Sequence, residues 1–491
     1  MSSEKALSIW LIALLGGVLL VRNYFGFSLS SSLWLDEAIT AWIINADLQE
    51  VFRRTLNFQG HSPLYFTLMW LYRAGGFLHE WQLRLPSLLL SIATLVSLAA
   101  ITRAYFSDRS SLVVVLFALS FTPWIRDAVN ARPYALALAG VHLSTLLFLS
   151  LIKDFRLWKA ALYLCTLVIT CYAHYLSALV VTVHLFFFLL LPRSEKGISL
   201  RGVILAWTVS AVALIPGMIH FQEILERSAL YSYPVPLSLK STLINFFPLE
   251  FLVPFIFAMV VARIFFPYRL ALKLDQKILA ALLWFLFPPL VFLALSCIRG
   301  ENLFFSRYFE WHFGGLALLA TGIFLSIDSL RAKKCVVLVF VVMQLLAPRT
   351  WQLEQWREVA EVIRSAPEPV VVYTGLIELE NATFRQNPKN RDYLLAPFQY
   401  YPVPNEMELT SSSFETLFSD RLEPLSSSVL VVTPKIVQFS DPARKGGVRG
   451  FVTQELKKRG FKEETLVDSQ VVLQHYEKSD LHLPNNRTIT P

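Results

Sequence analysis

The stretch "PLYFTLMWLYRAGGFL", residues 63–78, decides how the whole chain is threaded. It is apolar and close to membrane length, yet it holds Arg73 and the pair Gly75-Gly76. If it crosses a bilayer, every later loop changes side. If it lies along the interface, the loops keep the opposite arrangement. Charge settles the choice, because short cytoplasmic loops are rich in Lys and Arg.

Outward from that stretch the chain reads as membrane protein. Its 491 residues are 55% hydrophobic and 16% charged, with a mean hydropathy of +0.51. Soluble domains carry about 25% charged residues. Apolar runs suited to spanning helices fall at 7–21, 85–102, 110–125, 133–152, 160–174, 176–192, 202–219, 241–262, 278–298, 309–327 and 335–347. These predict about 11 crossings. With the N-terminus inside and 63–78 not crossing, the inside segments 1–6, 103–109, 153–159, 193–201, 263–277 and 329–334 hold 16 Lys/Arg in 50 residues. The outside segments 22–84, 126–132, 174–175, 220–240 and 299–308 hold 11 in 103. That is the bias the rule demands, and a crossing at 63–78 would reverse it. The stretch is therefore expected as a juxtamembrane helix on the outer face. The net charge of +8 becomes a topology signal, and nucleic acid is not an expected partner. The N-terminal run reads as a retained first helix, since no A-x-A-like cleavage site follows it. Cys165, Cys171, Cys297 and Cys335 all lie in or beside apolar runs, so no disulfide scaffold is implied.

After Leu346 the hydropathy falls. The expected organisation is a transmembrane domain at 1–347, an outer-face soluble α/β domain at 348–480 and a disordered tail at 481–491. In the soluble part, "WQLEQWREVAEVIRSA" has helical spacing. "EPVVVYTG", "SSVLVVTPK" and "SQVVLQHYE" read as buried strands, and "VTQELKKRGF" as a helix stopped by Gly460.

Charges near a bilayer are costly and usually have a reason. On this topology they collect on the outer face: Asp36, Glu37, His61, Arg84, Arg126, Asp127, Arg132, His174, Tyr175, Arg299, Arg307 and Tyr308. A carboxylate can act as general base, and arginines grip phosphate bidentately. Together they suit group transfer from a phosphate leaving group on an amphipathic donor. Singly, each has a plainer explanation. Asp36-Glu37 can complement a helix dipole, Arg132-Pro133 can open a helix, and Arg299 and Arg307 can anchor at the membrane edge. The convergence on one face carries the functional reading. No motif demands a cofactor. A divalent cation (Mg, Mn or Zn) is admitted, but "HSP" has no ligand spacing to a second His, so no metal residues are assigned.

The order of the pieces resembles a known family. "LDEA" after the first helix, then "HSPLYFTLMWLYRAGG", "RLPSLL" and "RDAVNARPYALAL" resemble the GT-C glycosyltransferases of the protein O-mannosyltransferase and aminoarabinose-transferase type, glycosyltransferase family 39-like. "SRYF" (Ser306–Phe309) and "WREVAEVI" (Trp356–Ile363) also look like family features. The resemblance implies a mainly α, polytopic GT-C-type fold and a polyprenyl-phosphate-sugar donor. It implies Asp36 as catalytic base with Glu37 supporting it, and His61 near the donor phosphate. Arg132 matches the Arg of E-A-R-x-Y, and Arg307 and Tyr308 join the phosphate group. Arg84, Asp127, Arg126 and His174 are supporting candidates. Asn130 stands where the family has Glu; Asp127, one helical turn earlier, can replace it only if the helix is continuous there. Ser62 replaces the first Pro of H-P-P-L. Ile39 and Thr40 follow LDEA where aminoarabinose transferases carry an Arg, which counts against that substrate.

The expected activity is inverting transfer of a hexose or pentose to a glycan, lipid or protein hydroxyl at the outer face. The expected setting is the bacterial inner membrane, with the active site toward the periplasm and membrane lipids as partners. The alternatives are a lipid-linked sugar flippase, for which midplane polar residues and repeats are missing, and a ligase using a diphosphate-linked glycan.

Overall fold

The computed structural model describes residues 11, 14–19, 29–106, 110–192, 196–231, 238–271, 274–299, 304–347, 354–414, 428–435 and 447–478. Most of the run 7–21 and the tail 481–491 lie outside them. The chain forms two compact units, one of residues 1–29 and 47–349, the other of 30–46 and 350–491. The segment 30–46, expected within the membrane region, thus groups with the C-terminal residues. Its helix, Leu35–Ile44, buries Ala38, Ile39, Trp42, Ile43 and Ile44 and packs on the helix Ala396–Tyr400.

The first unit is helical. Glu80–Tyr105, Tyr134–Lys153 and Gln276–Arg299 are long and apolar enough to cross a membrane. Three helix pairs pass the same test only together: Ser111–Ala118 with Thr122–Ala128, Leu200–Ala213 with Ile215–Glu226, and Leu239–Phe246 with Leu249–Phe265, bent by 83°, 59° and 68°, as in a broken span or a re-entrant loop. Pro123, Pro216 and Pro248 sit at the breaks, where a missing N–H and a fixed φ end one helix and start the next. Among the described residues three helices, or six counting each bent pair, meet that length and composition; of the other expected crossings, Leu157–Ala173, Tyr175–Leu190 and Glu310–Leu325 are shorter apolar helices and 7–21 lies mostly outside the described residues. The 63–78 stretch forms a helix only over Pro63–Arg73 and stops at Ala74, which is left-handed. Eleven residues rise about 16 Å, half the hydrocarbon thickness.

The Glu80–Tyr105 helix is apolar outside and polar inside. Leu89, Ile92 and Val96 are exposed, while Ser87, Ser91 and Thr94 are buried. Small residues let backbones approach where lipid offers no hydrophobic drive between helices. Gly140 and Gly315 take this furthest. A Cβ at Gly140 would lie 2.4 Å from Thr170 Oγ1, and one at Gly315 would lie 2.6 Å from both Ala281 O and Phe285 N. Hydrogen bonds add specificity: His184 joins Thr145 Oγ1 (3.1 Å) and Tyr163 OH (3.0 Å), and Trp207 Nε1 donates to Tyr163 OH (2.9 Å). Phe117 meets Phe255 and Phe340 edge to face at 5.2 and 5.3 Å.

The second unit holds a five-stranded sheet ordered β2-β1-β3-β5-β4. β1 (Val370–Val372) pairs parallel with β2 (Met407–Leu409) and β3 (Ser428–Pro434). β5 (Val471–Lys478) runs antiparallel to β3 and to β4 (Phe461–Asp468). The helices Trp356–Arg364 and Gly447–Lys458 fall where expected, and Gly460 takes φ +84° beyond the second.

Candidate functional site

His61 sits between two helices and is fixed by its neighbour. The Ser62 hydroxyl accepts from Leu64 N (3.2 Å) as the cap of the Pro63–Arg73 helix, and donates to Tyr172 O (2.5 Å). A proline at 62 could do neither, so the departure from H-P-P-L adds a tie to the Leu157–Ala173 helix. That tie brings His61 beside His174, the residue after that helix, with ring centroids 5.3 Å apart. Tyr134 packs against both, at 5.6 and 5.7 Å, and Tyr308 lies 5.6 Å from His174. The Arg307 guanidinium stands 5.3 Å from the Tyr308 ring centre. Arg132 is buried and donates from Nη1 to Gln59 Oε1 (3.2 Å).

Burial and the two arginines keep both histidines uncharged. His61 is held well below the ordinary imidazole value by burial, then Arg132, His174 and Arg307. His174 is pushed down to about 3 by burial, then Arg307 and Arg132. A neutral imidazole offers one N–H and one lone pair; the permanent positive charge comes from the arginines. His174, Tyr134, Arg307 and Tyr308 line one pocket. His61, Arg132, His174, Arg307 and Tyr308 are thus brought together, from segments as far apart as residues 61 and 308. Such a group can bind an anion: fixed cations supply attraction, and imidazole and phenol groups supply hydrogen bonds.

Arg126 and Asp127 lie on the short helix Thr122–Ala128. The next helix begins at Tyr134, so the continuity that would let Asp127 stand in for the family's Glu is absent. Asp127 is buried instead near Arg126, whose Nε is 3.7 Å from Asp127 Oδ1 and whose Nη2 is 3.4 Å from Glu310 Oε2. Glu310 was not among the sequence candidates; it follows "SRYF" directly but lies in an apolar run. Arg84 is buried and donates to Leu29 O (2.8 Å).

Asp36 and Glu37 belong to the second unit. Glu37 is buried and accepts from Trp34 N (3.3 Å), so it caps its own helix. Asp36 is only partly buried. Glu354 completes this place and was missed. Its carboxylate accepts from Leu35 N (2.7 Å) and Trp356 Nε1 (2.5 Å), holding the first turn that carries Asp36. Burial first, then Asp36 and Glu37, raise it to about 7. The two halves of this contact are 319 positions apart, and no local pattern could announce it. Among the described residues, no group of three or more His, Cys, Asp or Glu could hold a metal ion; the divalent cation enters no step below.

Residues 60–220 match the family described as dolichyl-phosphate-mannose-protein mannosyltransferase. That third of the chain contains His61, Arg84, Arg126, Asp127, Arg132 and His174. No curated protein matches the chain. Among solved structures, the archaeal oligosaccharyltransferase AglB from Archaeoglobus fulgidus, in complex with an inhibitory peptide and a dolichol-phosphate, is similar at 11% identity and TM-score 0.47, over 99% of this chain and 76% of that one. ArnT from Cupriavidus metallidurans bound to undecaprenyl phosphate is similar at 14% identity and TM-score 0.31, over 94% and 97%.

Proposed function

We propose that the chain is an inverting glycosyltransferase that moves a monosaccharide from a polyprenyl-phosphate donor to an acceptor hydroxyl on a glycan, lipid or protein. The observation that carries this reading is that Arg307, His174, Tyr134 and Tyr308 line one pocket, with His61 packed against His174 and Tyr134 and Arg132 acting on both histidines, in a helical unit with apolar residues such as Leu89, Ile92 and Val96 exposed. The family match over 60–220 supports it, because that family's description names a polyprenyl-type phosphate sugar.

In the proposed reaction Asp36 takes the proton of the acceptor hydroxyl. The acceptor oxygen bonds to the anomeric carbon as the bond from that carbon to the phosphate oxygen breaks. The electron pair leaves with polyprenyl phosphate, and the configuration inverts in the single displacement. Arg132 and Arg307 offset the charge that develops on the phosphate, commonly the largest catalytic term. The bacterial inner membrane, with the chemistry on its periplasmic side, is the proposed setting.

Transfer by purified Asp36→Asn tests the base assignment. Loss of at least about a hundredfold in rate is expected for a general base. A folded Asp36→Asn protein that transfers sugar at the wild-type rate removes Asp36 from the role.

A further inference from the structure

The pocket that Arg307 lines also holds groups of a different kind. After Tyr308 the chain turns again at Glu310–His312 and presents Glu310 and Trp311 to the pocket that His174 and Arg307 also line. Both side chains are 3% exposed. The Trp311 indole Nε1–H is buried without a hydrogen-bond partner. Trp124 Nε1 donates to the backbone carbonyl of Glu310 (3.0 Å), which fixes the turn without using the carboxylate. The carboxylate itself has a long contact from Arg126, at 3.4 Å, and Arg126 also faces Asp127 at 3.7 Å.

A buried acid and a buried, unmatched N–H are expensive beside an apolar ligand. A prenyl chain would leave the Trp311 N–H unsatisfied and would give the Glu310 carboxylate nothing beyond its long contact from Arg126. A sugar ring matches them: its hydroxyls donate to carboxylate and accept from indole, while its C–H face packs on flat aromatic rings such as Tyr134 and Tyr308. We propose that Glu310 and Trp311 are specificity-determining contacts to the monosaccharide being transferred, Glu310 accepting from its hydroxyls and Trp311 Nε1 donating to one. This rests on the donor reading above and adds which residues select the sugar.

The test uses the full chain in lipid nanodiscs, titrated with undecaprenyl phosphate and with the glucose, mannose and galactose esters of that lipid phosphate. Glu310→Gln and Trp311→Phe keep shape and ring packing. Each variant is expected to bind at least one glycosylated lipid about tenfold more weakly than wild type, with undecaprenyl phosphate affinity within about twofold of wild type. Equal weakening toward both kinds of lipid, or no weakening toward any glycosylated lipid, overturns the proposal. A wild-type protein that binds undecaprenyl phosphate no better than a neutral polyprenol overturns the donor reading and the inference with it.

Discussion

Arginine carries the charge in this pocket because burial leaves the histidines neutral. Arg307→Ala is therefore expected to weaken undecaprenyl phosphate binding by about tenfold or more, whereas His174→Gln, which keeps a neutral donor and acceptor, costs less. A lipid titration of the two variants measures this, and equal losses would contradict it. Glu354 makes a second prediction. Its folded value is about 7 against an ordinary 4.5. A carboxyl raised on folding contributes stability that is complete below about 4.5 and is lost as pH climbs through 7. Between pH 5 and pH 8 the loss is on the order of 2–3 kcal/mol. Denaturation curves at pH 5 and pH 8 should show it for wild type. Glu354→Gln keeps both hydrogen-bond acceptances without titrating, so its curves should lie closer together. An unchanged pH slope in Glu354→Gln would place its origin elsewhere.

At the scale of elements, the close helix crossings make separable predictions. Gly140→Ala strikes chiefly the Thr170 side chain, its Oγ1 first, with Thr170 Cβ at 3.1 Å and Cα at 3.3 Å also tight, and is expected to cost about 1–3 kcal/mol. Gly140→Ala combined with Thr170→Ala should recover much of that. Gly315→Ala strikes backbone at Ala281 and Phe285, so truncating side chains should not rescue it. Thermal melting in detergent of the three variants checks the contrast. Elements also show what could be read in the chain. β1, β3 and β5 have buried apolar runs and were legible. β4 is largely exposed and β2 is three residues long with only Leu409 buried, so neither has a pattern to find. The long continuous helices were legible from hydropathy. The three bends were not, although a proline marked each one.

For the whole molecule, the sequence placed the polar residues on one side by counting Lys and Arg, and the order of motifs named the same residues. That made His61, Arg132, His174, Arg307 and Tyr308 readable as candidates. Their ring distances, and the neutrality of the histidines, depend on burial among helices distant in sequence and could not be read. The grouping of 30–46 with the C-terminal unit was equally hidden, because it rests on the Leu35–Ile44 helix packing on Ala396–Tyr400. So was Glu354 under the first turn of that helix.

The proposed reaction consumes a polyprenyl-phosphate sugar to glycosylate an envelope acceptor. Mass spectrometry of envelope lipids, glycans and proteins from cells with and without the gene tests it most directly. A hexose or pentose increment on one acceptor is expected only when the gene is present, with polyprenyl-phosphate sugar accumulating when it is absent. Envelope profiles that are identical in both cells, acceptor and lipid donor alike, would contradict it.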